Sequence, residues 1–315
     1  MSDRNLVQPV AVLIVALVVV LGGTFVVSLA AGPTATGSPD GENIEGQSPA
    51  QYQPEAAGID ADPEDGELAI EDAPAGGEIV IDIRRSVDTT DDDLQPIVEA
   101  MFEAGYSVTI LDGDSTQGLG QALNGSSGLL IVQPATEYPD NERNTIQSYV
   151  ETGGHAVVAG EPTQTRVGGG LFATIAQVPF GATELAESYG INIGAEALYN
   201  VDDEANDNNF KSIYATPSRG GVLTDGVDTI TFDRSGHIIT DDDNVTAHYT
   251  AVEGTRTIDT RRADTYPVVA RNDSVVFVAD GSFLSQPELY DADNEVFTSN
   301  LVEFLLRGDP GGGFR

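Results

Sequence analysis

Apolar and polar positions divide this chain into three regimes. Residues 6–31 ("LVQPVAVLIVALVVVLGGTFVVSLAA") are almost wholly apolar, and residues 32–77 show no apolar periodicity. From Glu78 onward, short solid apolar runs alternate with amphipathic stretches. "EIVIDI" (78–83), "SVTILD" (107–112), "GLLIVQP" (128–134) and "HAVVAGE" (155–161) predict strands, and "YPVVARNDSVVFVADGSF" (266–283) predicts two more around an Asn-Asp turn. Helical spacing runs through "DDDLQPIVEAMFEAGY" (91–106), 141–154 and "NEVFTSNLVEFLLRG" (294–308). In the first of these, Asp residues should supply the cap, Pro96 is tolerated in the first turn, and Gly105 ends the helix. "GLFATIAQV" (170–178) and "ATELAESYG" (182–190) also read as helical, leading to "INI" (191–193). Solid strands alternating with helices imply a parallel sheet covered on both faces. Residues 195–265 are polar and Asp/Asn-rich, with short strand-like pieces, and read as an insert in an α/β domain spanning 78–308. Residues 309–315 read as a flexible tail.

The first regime is long enough to cross a membrane. Val10 to Ala31, 22 residues, would make a helix of about 33 Å against a hydrocarbon core of about 30 Å. A secretory signal peptide is the alternative, since "SLAAG" offers small residues, but its apolar core would be only about 7–15 residues. Residues 1–31 are therefore expected to be a signal anchor. Arg4 precedes the run and no Lys or Arg follows until Arg84, so the N-terminus is expected in the cytoplasm and the main domain outside the cell. Residues 32–77 hold 11 carboxylates and no base. Too little apolar surface is available there to offset chain entropy, so this segment is expected to be a disordered acidic linker.

Composition narrows the function. The 315 residues carry 51 acids and 14 bases, a formal charge of -37, with Lys211 the single lysine. Such self-repulsion is screened at molar salt, where the Debye length is about 3 Å. Acids spread along the whole chain are thus read as halophilic adaptation. No basic stripe exists to neutralise phosphates, which excludes nucleic acid as a partner. The absence of cysteine removes disulfides, thiolate catalysis, Cys-ligated metals and a lipidated N-terminal cysteine.

Candidate chemistry lies at strand ends, because ligands of open α/β sheets sit beyond the carboxyl ends of the strands. Those ends give Asp82, Asp112, Pro134, Glu161 and Asp280, with Arg84 and Arg85 after the first strand and Ser282 after the last. Carboxylates on one rim can form an acid/base pair or bind a ligand; in so acidic a chain they also serve as caps and solvated loops. His155, His237 and His248 show no metal-ligand spacing, and "DTTDDD" (88–93), "DDEANDNN" (202–209) and "DDDN" (241–244) lack calcium-loop spacing. No metal is expected. "DGSF" lacks the second glycine of a serine-hydrolase elbow. Gly168, Gly170 and Ala173 match G-x-G-x-x-A but trail their strand by several residues, so no cofactor is expected. Asn124, Asn244 and Asn272 begin sequons, relevant only if the domain is external.

Several segments carry a resemblance. "FEAGYSVTILD", "IQSYVETGGHAVVAGEP", "ELAESYGINI" and "PVVARNDSVVFVADGSFL", followed by "DNEVFTSNLVEFLL", resemble membrane-anchored class I glutamine-amidotransferase-like domains of unknown function. Such domains occur in halophilic archaea and are related to auxiliary subunits of gliding-motility ABC transporters. The resemblance covers about 78–308. It implies a flavodoxin-like, amidotransferase-like open parallel sheet with helices on both faces. In true amidotransferases the turn after the "HAVVAG" strand bears the nucleophilic cysteine. Here it reads Gly160-Glu161-Pro162, and a carboxylate cannot form the glutaminyl thioester. Relatives carry histidine after the first strand, where this chain has Ile83-Arg84-Arg85.

The function expected from the sequence is therefore a non-catalytic, membrane-tethered extracytoplasmic domain that binds a ligand or a protein partner in an envelope or ABC-transport assembly. Asp82, Arg84, Arg85, Glu161, Asp280 and Ser282 are its candidate ligand-binding residues. The alternative is a carboxylate-dependent hydrolase or carbohydrate-processing enzyme.

Overall fold

The apolar run Glu78–Asp82 forms β1, one of five parallel strands in a nine-stranded sheet. In the computed structural model, residues 66–71, 73, 74, 76–168 and 174–308 are described. The expected signal anchor, most of the linker and the tail 309–315 lie outside the described residues. β1 pairs in parallel with β2 (Ser107–Leu111) on one side and β3 (Gly128–Val132) on the other. β4 (His155–Ala159) continues this parallel order, and the late strand β15 (Val275–Val278) pairs with it. All five strands therefore point their carboxyl ends to one edge.

The rest of the sheet is antiparallel, and only its first hairpin, around the Asn-Asp turn, was expected from the sequence. β15 turns back through Asn272-Asp273-Ser274 to β14 (Pro267–Asn272), antiparallel, with Asp273 at φ 48° in the tight turn. Beyond β14, β12 (Thr246–Ala251), β9 (Ser212–Pro217) and β10 (Ile230–Asp233) complete the sheet, all antiparallel. Residues 195–265 are thus no insert but three strands of the sheet. They looked polar because their burial alternates: in β9, Ile213 and Ala215 are buried while their neighbours face outward. Alternation of this kind is the signature of antiparallel strands with one wet face.

The short strands β7 (Asn192–Ile193) and β11 (Ile238–Ile239) pair with each other, as do β8 (Leu198–Tyr199) and β13 (Arg256–Thr257). A further hairpin joins β5 (Gln164–Gly168) and β6 (Thr174–Val178). That hairpin corrects the helical reading of "GLFATIAQV". Ile175 is 73% exposed and its cross-strand partner Val167 is 70% exposed. No buried stripe exists there to reward a helix, and Thr174, Ile175 and Val178 favour extended backbone. Gly170 and Ala173 lie outside the described residues.

Helices cover the two faces of the parallel half: α1 (Gln95–Glu103), α2 (Leu119–Ala122), α3 (Asp140–Glu151), α4 (Thr183–Glu187) and α5 (Asn294–Leu306). Ile79, Ile81, Leu130 and Val157 pack with α1 and α5, whereas Val80, Leu129, Ile131 and Val158 pack with α2, α3 and α4. Successive residues of one strand thus feed opposite cores, which is why these strands read as solid apolar runs. α1 contains Pro96 in its first turn, and Gly105 follows it at φ 86°, as expected. The expected Asp cap is not made. Asp93 instead accepts hydrogen bonds from the amide and hydroxyl of Thr90. The last part of the expected linker is also docked: Leu68, Ile70 and Ala73 pack on the core, and the Ala73 carbonyl accepts a bond from Tyr106 Oη. Among the described residues no helix is long and apolar enough to cross a membrane.

Candidate functional site

Parallel register brings four strand ends to one edge in the order β15, β4, β3, β1. The residues just beyond or at these ends are Asp280, Glu161, Gln133 and Asp82. They divide into two clusters.

The first cluster surrounds Asp82, which ends β1 and is 1% exposed. Arg84 closes back on it with Nη2 2.7 Å from Oδ2 and Nε 2.9 Å from Oδ1, a two-pronged pair. Tyr138 donates its hydroxyl to the same Oδ2 at 3.1 Å. Glu142, in the first turn of α3, accepts from Arg84 Nη1 at 3.0 Å and Arg85 Nη2 at 2.8 Å. The Arg85 guanidinium lies 4.6 Å from the Tyr138 ring centroid. The hydrogen bond to Asp82 pushes Arg84 further up, ensuring its charge. Burial would raise Glu142, but the bonds from Arg85 and Arg84 hold it below the usual carboxylate range. Burial, then the Asp82 charge, pushes the Tyr138 phenol up. Two arginines thus compensate two acids, and this cluster is electrically closed.

The second cluster is built on Glu161 and Asp280. β15 and β4 pair Val278 with Ala159. Continuing that register by two residues sets Asp280 beside Glu161, on strands about 4.8 Å apart. Asp280 is 0% exposed. Its Oδ1 accepts from the Ser282 amide at 2.6 Å and the Ser282 hydroxyl at 2.8 Å, while Oδ2 is buried without a partner among the described residues. Glu161 is half-buried, and its Oε1 accepts from Gln133 Nε2 at 2.8 Å and the Gly281 amide at 2.9 Å. Gln133 is oriented in turn by Thr89, whose hydroxyl donates to Gln133 Oε1 at 2.7 Å. No arginine is paired with either carboxylate among the described residues.

Backbone features hold this arrangement. Gln133 adopts φ 43°, unusual for a side chain of its size, which turns it from the end of β3 toward Glu161. A Cβ on Gly281 would lie 2.5 Å from Gln133 Cγ, so glycine there lets the amide reach the carboxylate. A Cβ on Gly160 would lie 2.4 Å from the Phe180 ring, so glycine lets β4 end against that packing.

Burial raises the Glu161 carboxyl to about 7, against the bonds from Gly281, Gln133 and Gln164 and the nearby charge of Arg234. Asp280 is raised well above its ordinary value, first by burial and then by the Glu161 charge. Above the pair lies a cavity of about 440 Å³, rimmed by Thr89, Gln164, Thr165, Arg166 and Arg234 among others. Gln164, Thr165 and Arg166 belong to β5, so the first strand of the β5–β6 hairpin forms a wall of the site.

Of the six candidate residues, the structure brings Glu161, Asp280 and Ser282 together and keeps Asp82, Arg84 and Arg85 in the other cluster. Asp112 stands apart, at the end of the edge strand β2, and is held below the usual range first by its bond from Ser115. Sequence reasoning missed Gln133, Thr89, Tyr138 and Glu142. The "IVQP" strand end was visible, but Pro134 drew attention from Gln133. Among the described residues no group of three or more His, Asp or Glu side chains could hold a metal ion. His155 is a packing residue: it stacks on Phe304 with ring centroids 4.4 Å apart and bonds the Phe304 carbonyl through Nδ1.

A solved structure described as the mmIFT52 N-terminal domain is similar in fold, with a TM-score of 0.55 at 12% identity, over 74% of this chain and 98% of that one. A glutamine amidotransferase from Thermotoga maritima gives a TM-score of 0.41 at 10% identity, over 73% and 96% of the two chains. A ThuA-like protein from Parabacteroides merdae gives 0.38 at 10% identity, over 74% and 90%. Identities this low bear on the fold alone. No curated protein matches the sequence. A family model does match, over residues 93–302, and the chain belongs to that family, described as a domain of unknown function (DUF4350).

Proposed function

We propose that this chain is a binding module tethered to the membrane by residues 10–31, with its α/β domain outside the cytoplasm. In this reading it seats a small polar ligand, or a polar segment of a partner, in the cavity over Glu161, as an accessory component of an envelope or ABC-transport assembly. The apolar N-terminal run, the preceding Arg4 and the base-free segment after it support the tether and its orientation. The charge of -37 suits a protein working at high salt.

The observation that carries the binding reading is the way Glu161 is held. Two donors, the Gln133 amide and the Gly281 backbone, fix one carboxylate oxygen at the floor of a polar cavity. That is a pre-oriented recognition group, at the position where the amidotransferases it resembles carry a thiol nucleophile. Ser282 is engaged with Asp280 rather than with an imidazole base, so Ser282 is not set up as a hydroxyl nucleophile of the usual kind.

One observation favours the alternative, a carboxylate-dependent hydrolase: Glu161 titrates near neutrality beside a second buried carboxyl, as a general acid does. Thermal unfolding of the full chain against a panel of amines, polyols, sugars and amino acids separates the two. A binding module gains stability from its ligand, about 2.7 kcal/mol at a hundredfold excess over Kd, leaves that ligand chemically intact over days, and loses the effect in Glu161→Gln. Conversion of the ligand by the wild-type chain, abolished in Glu161→Gln, would replace this reading with the enzymatic one.

A further inference from the structure

We infer that the cavity over Glu161 receives an ammonium or guanidinium group bearing N–H donors, from a small amine or from a basic peptide side chain. This rests on the reading that the cavity is a binding site, and adds the chemistry of what enters.

The charges around the cavity are unequally matched. Arg166 is paired with Asp88 and Arg234 with Asp233, which accounts for both cations among the described residues of the lining. Asp93, Glu161 and Glu288 also line it, and none of the three has an ion-pair partner among the described residues. An anionic ligand would face three uncompensated acids. A cationic one would neutralise them.

The geometry beneath the cavity makes Glu161 the receiving group. Asp280, fully buried beside it, has one oxygen saturated by Ser282 and the other without a partner among the described residues. Two carboxyls on adjacent strand ends in so dry a place hold one negative charge between them. Asp280 is the more deeply buried and keeps its proton. Oε1 of Glu161 already takes two donors, so any proton on Glu161 resides on Oε2. An arriving cation stabilises the carboxylate form and expels that proton, whereas a neutral polyol has no charge with which to do so.

The lining also decides among cations. Among the described residues it contains no aromatic ring, so these give a quaternary ammonium no cation–π cage. Hydroxyl and amide oxygens of Thr89, Gln164, Thr165 and Ser285 suit a group with several N–H donors. A volume of about 440 Å³ accommodates a chain of a few carbons.

The test compares isosteres. Titration calorimetry of the full chain in molar KCl is run with cadaverine, with 1,5-pentanediol, and with an acetyl-Gly-Lys-Gly-amide peptide. Cadaverine or the peptide should bind at least about tenfold more tightly than the diol; whichever binds better identifies a free amine or a side chain as the source. Repeating the titration in buffers of different ionisation heat should show a fraction of a proton released near pH 7 that vanishes by about pH 9. Glu161→Gln should weaken amine binding at least about tenfold and abolish the proton release. Glu288→Gln, at the rim, should weaken it about threefold with proton release retained, and guards against a misfolded Glu161 variant. If the diol binds as well as the amines, the ligand class is wrong while the cavity remains a binding site. If no probe binds at millimolar concentration, the ammonium inference falls, and the wider ligand panel decides separately whether the cavity binds anything.

Discussion

Two carboxylate clusters share one edge of the sheet, separated by β3, and solve burial in opposite ways. Asp82 is dry but answered by a two-pronged arginine, a phenol and, through Glu142, a second arginine. Glu161 and Asp280 are answered by neutral donors: an amide, two backbone N–H groups and a hydroxyl. Charge pairing keeps Glu142 ionised and leaves the first cluster nothing to exchange with a ligand. Neutral donors leave the second pair with a titration near neutrality and a net attraction for positive charge. The difference comes from the turn after β1, which supplies Arg84 and Arg85 to the first cluster, whereas among the described residues no arginine is paired with Glu161 or Asp280.

The comparison breaks most visibly if Arg84 is removed. Arg84→Met would leave Asp82, with a fully buried side chain, without its cation. Loss of one partner from a buried pair costs about 3–5 kcal/mol, so the guanidinium-chloride midpoint should drop by a large fraction of the domain's stability. An unchanged midpoint would mean that solvent or another group relieves Asp82 of its burial, and that the two clusters are less distinct than their geometry.

Much of this edge was legible in the chain. Solid apolar runs located β1, β3, β4 and the β14–β15 hairpin, because strands buried on both faces have no polar alternation to confuse them; β2, at the edge and only partly buried, was located by its apolar run alone. The strand-end rule then selected Asp82, Glu161 and Asp280. Partnership was not legible. Arg84 and Arg85 lie near Asp82 in sequence, yet their second acid, Glu142, arrives from a helix 57–58 residues away. Nothing in "IVQP" announced that Gln133 would turn at positive φ to reach Glu161. The antiparallel half was misjudged for a related reason: one face of β9 and β12 is polar, and composition alone cannot tell a half-wet strand from a loop. The β5–β6 hairpin is almost wholly exposed, so neither helical nor strand periodicity had a buried face to report.

A second prediction concerns pH. The folded value of Glu161 is raised from about 4.5 to about 7, so the folded state holds a proton that the unfolded chain releases first. This contribution to stability is fully present below about pH 4.5 and is lost as pH rises through about 7. Asp280, raised in the same direction, adds to it, and Arg234 faces both and remains charged. Buried His248, lowered to about 4 by burial, acts oppositely: its stabilisation is present above the ordinary histidine value and is lost on acidification. The difference between wild type and Glu161→Gln cancels the histidine effect. Relative to wild type, Glu161→Gln should gain stability steadily from pH 4.5 to 7, on the order of 2 kcal/mol, and stay level beyond. A flat difference across that window would show that Glu161 titrates normally and that the second cluster is no proton-holding pair.

The smallest expected effect gives the sharpest contrast. Asp280→Asn keeps the shape of the side chain, and its amide oxygen can still accept from the Ser282 amide and hydroxyl. If Asp280 carries a proton on Oδ2, that position already bears a hydrogen, and an NH2 group there changes little. The cost should stay under about 1 kcal/mol in denaturant unfolding at pH 7, the range of a mild polar exchange. A carboxyl 13C titration of Glu161 in the variant should be nearly superimposable on the wild type, because a neutral neighbour is exchanged for a neutral neighbour. Were Asp280 ionised instead, removing its charge would relieve repulsion within the pair. Asp280→Asn would then stabilise the fold by more than about 1 kcal/mol and move the Glu161 titration toward the ordinary carboxylate range. Asp82→Asn provides the reference at the same edge: it exchanges a charged acceptor for a neutral one opposite Arg84, so it should cost more than Asp280→Asn. Equal costs at the two positions would erase the distinction between an edge held by charge and an edge held by neutral donors.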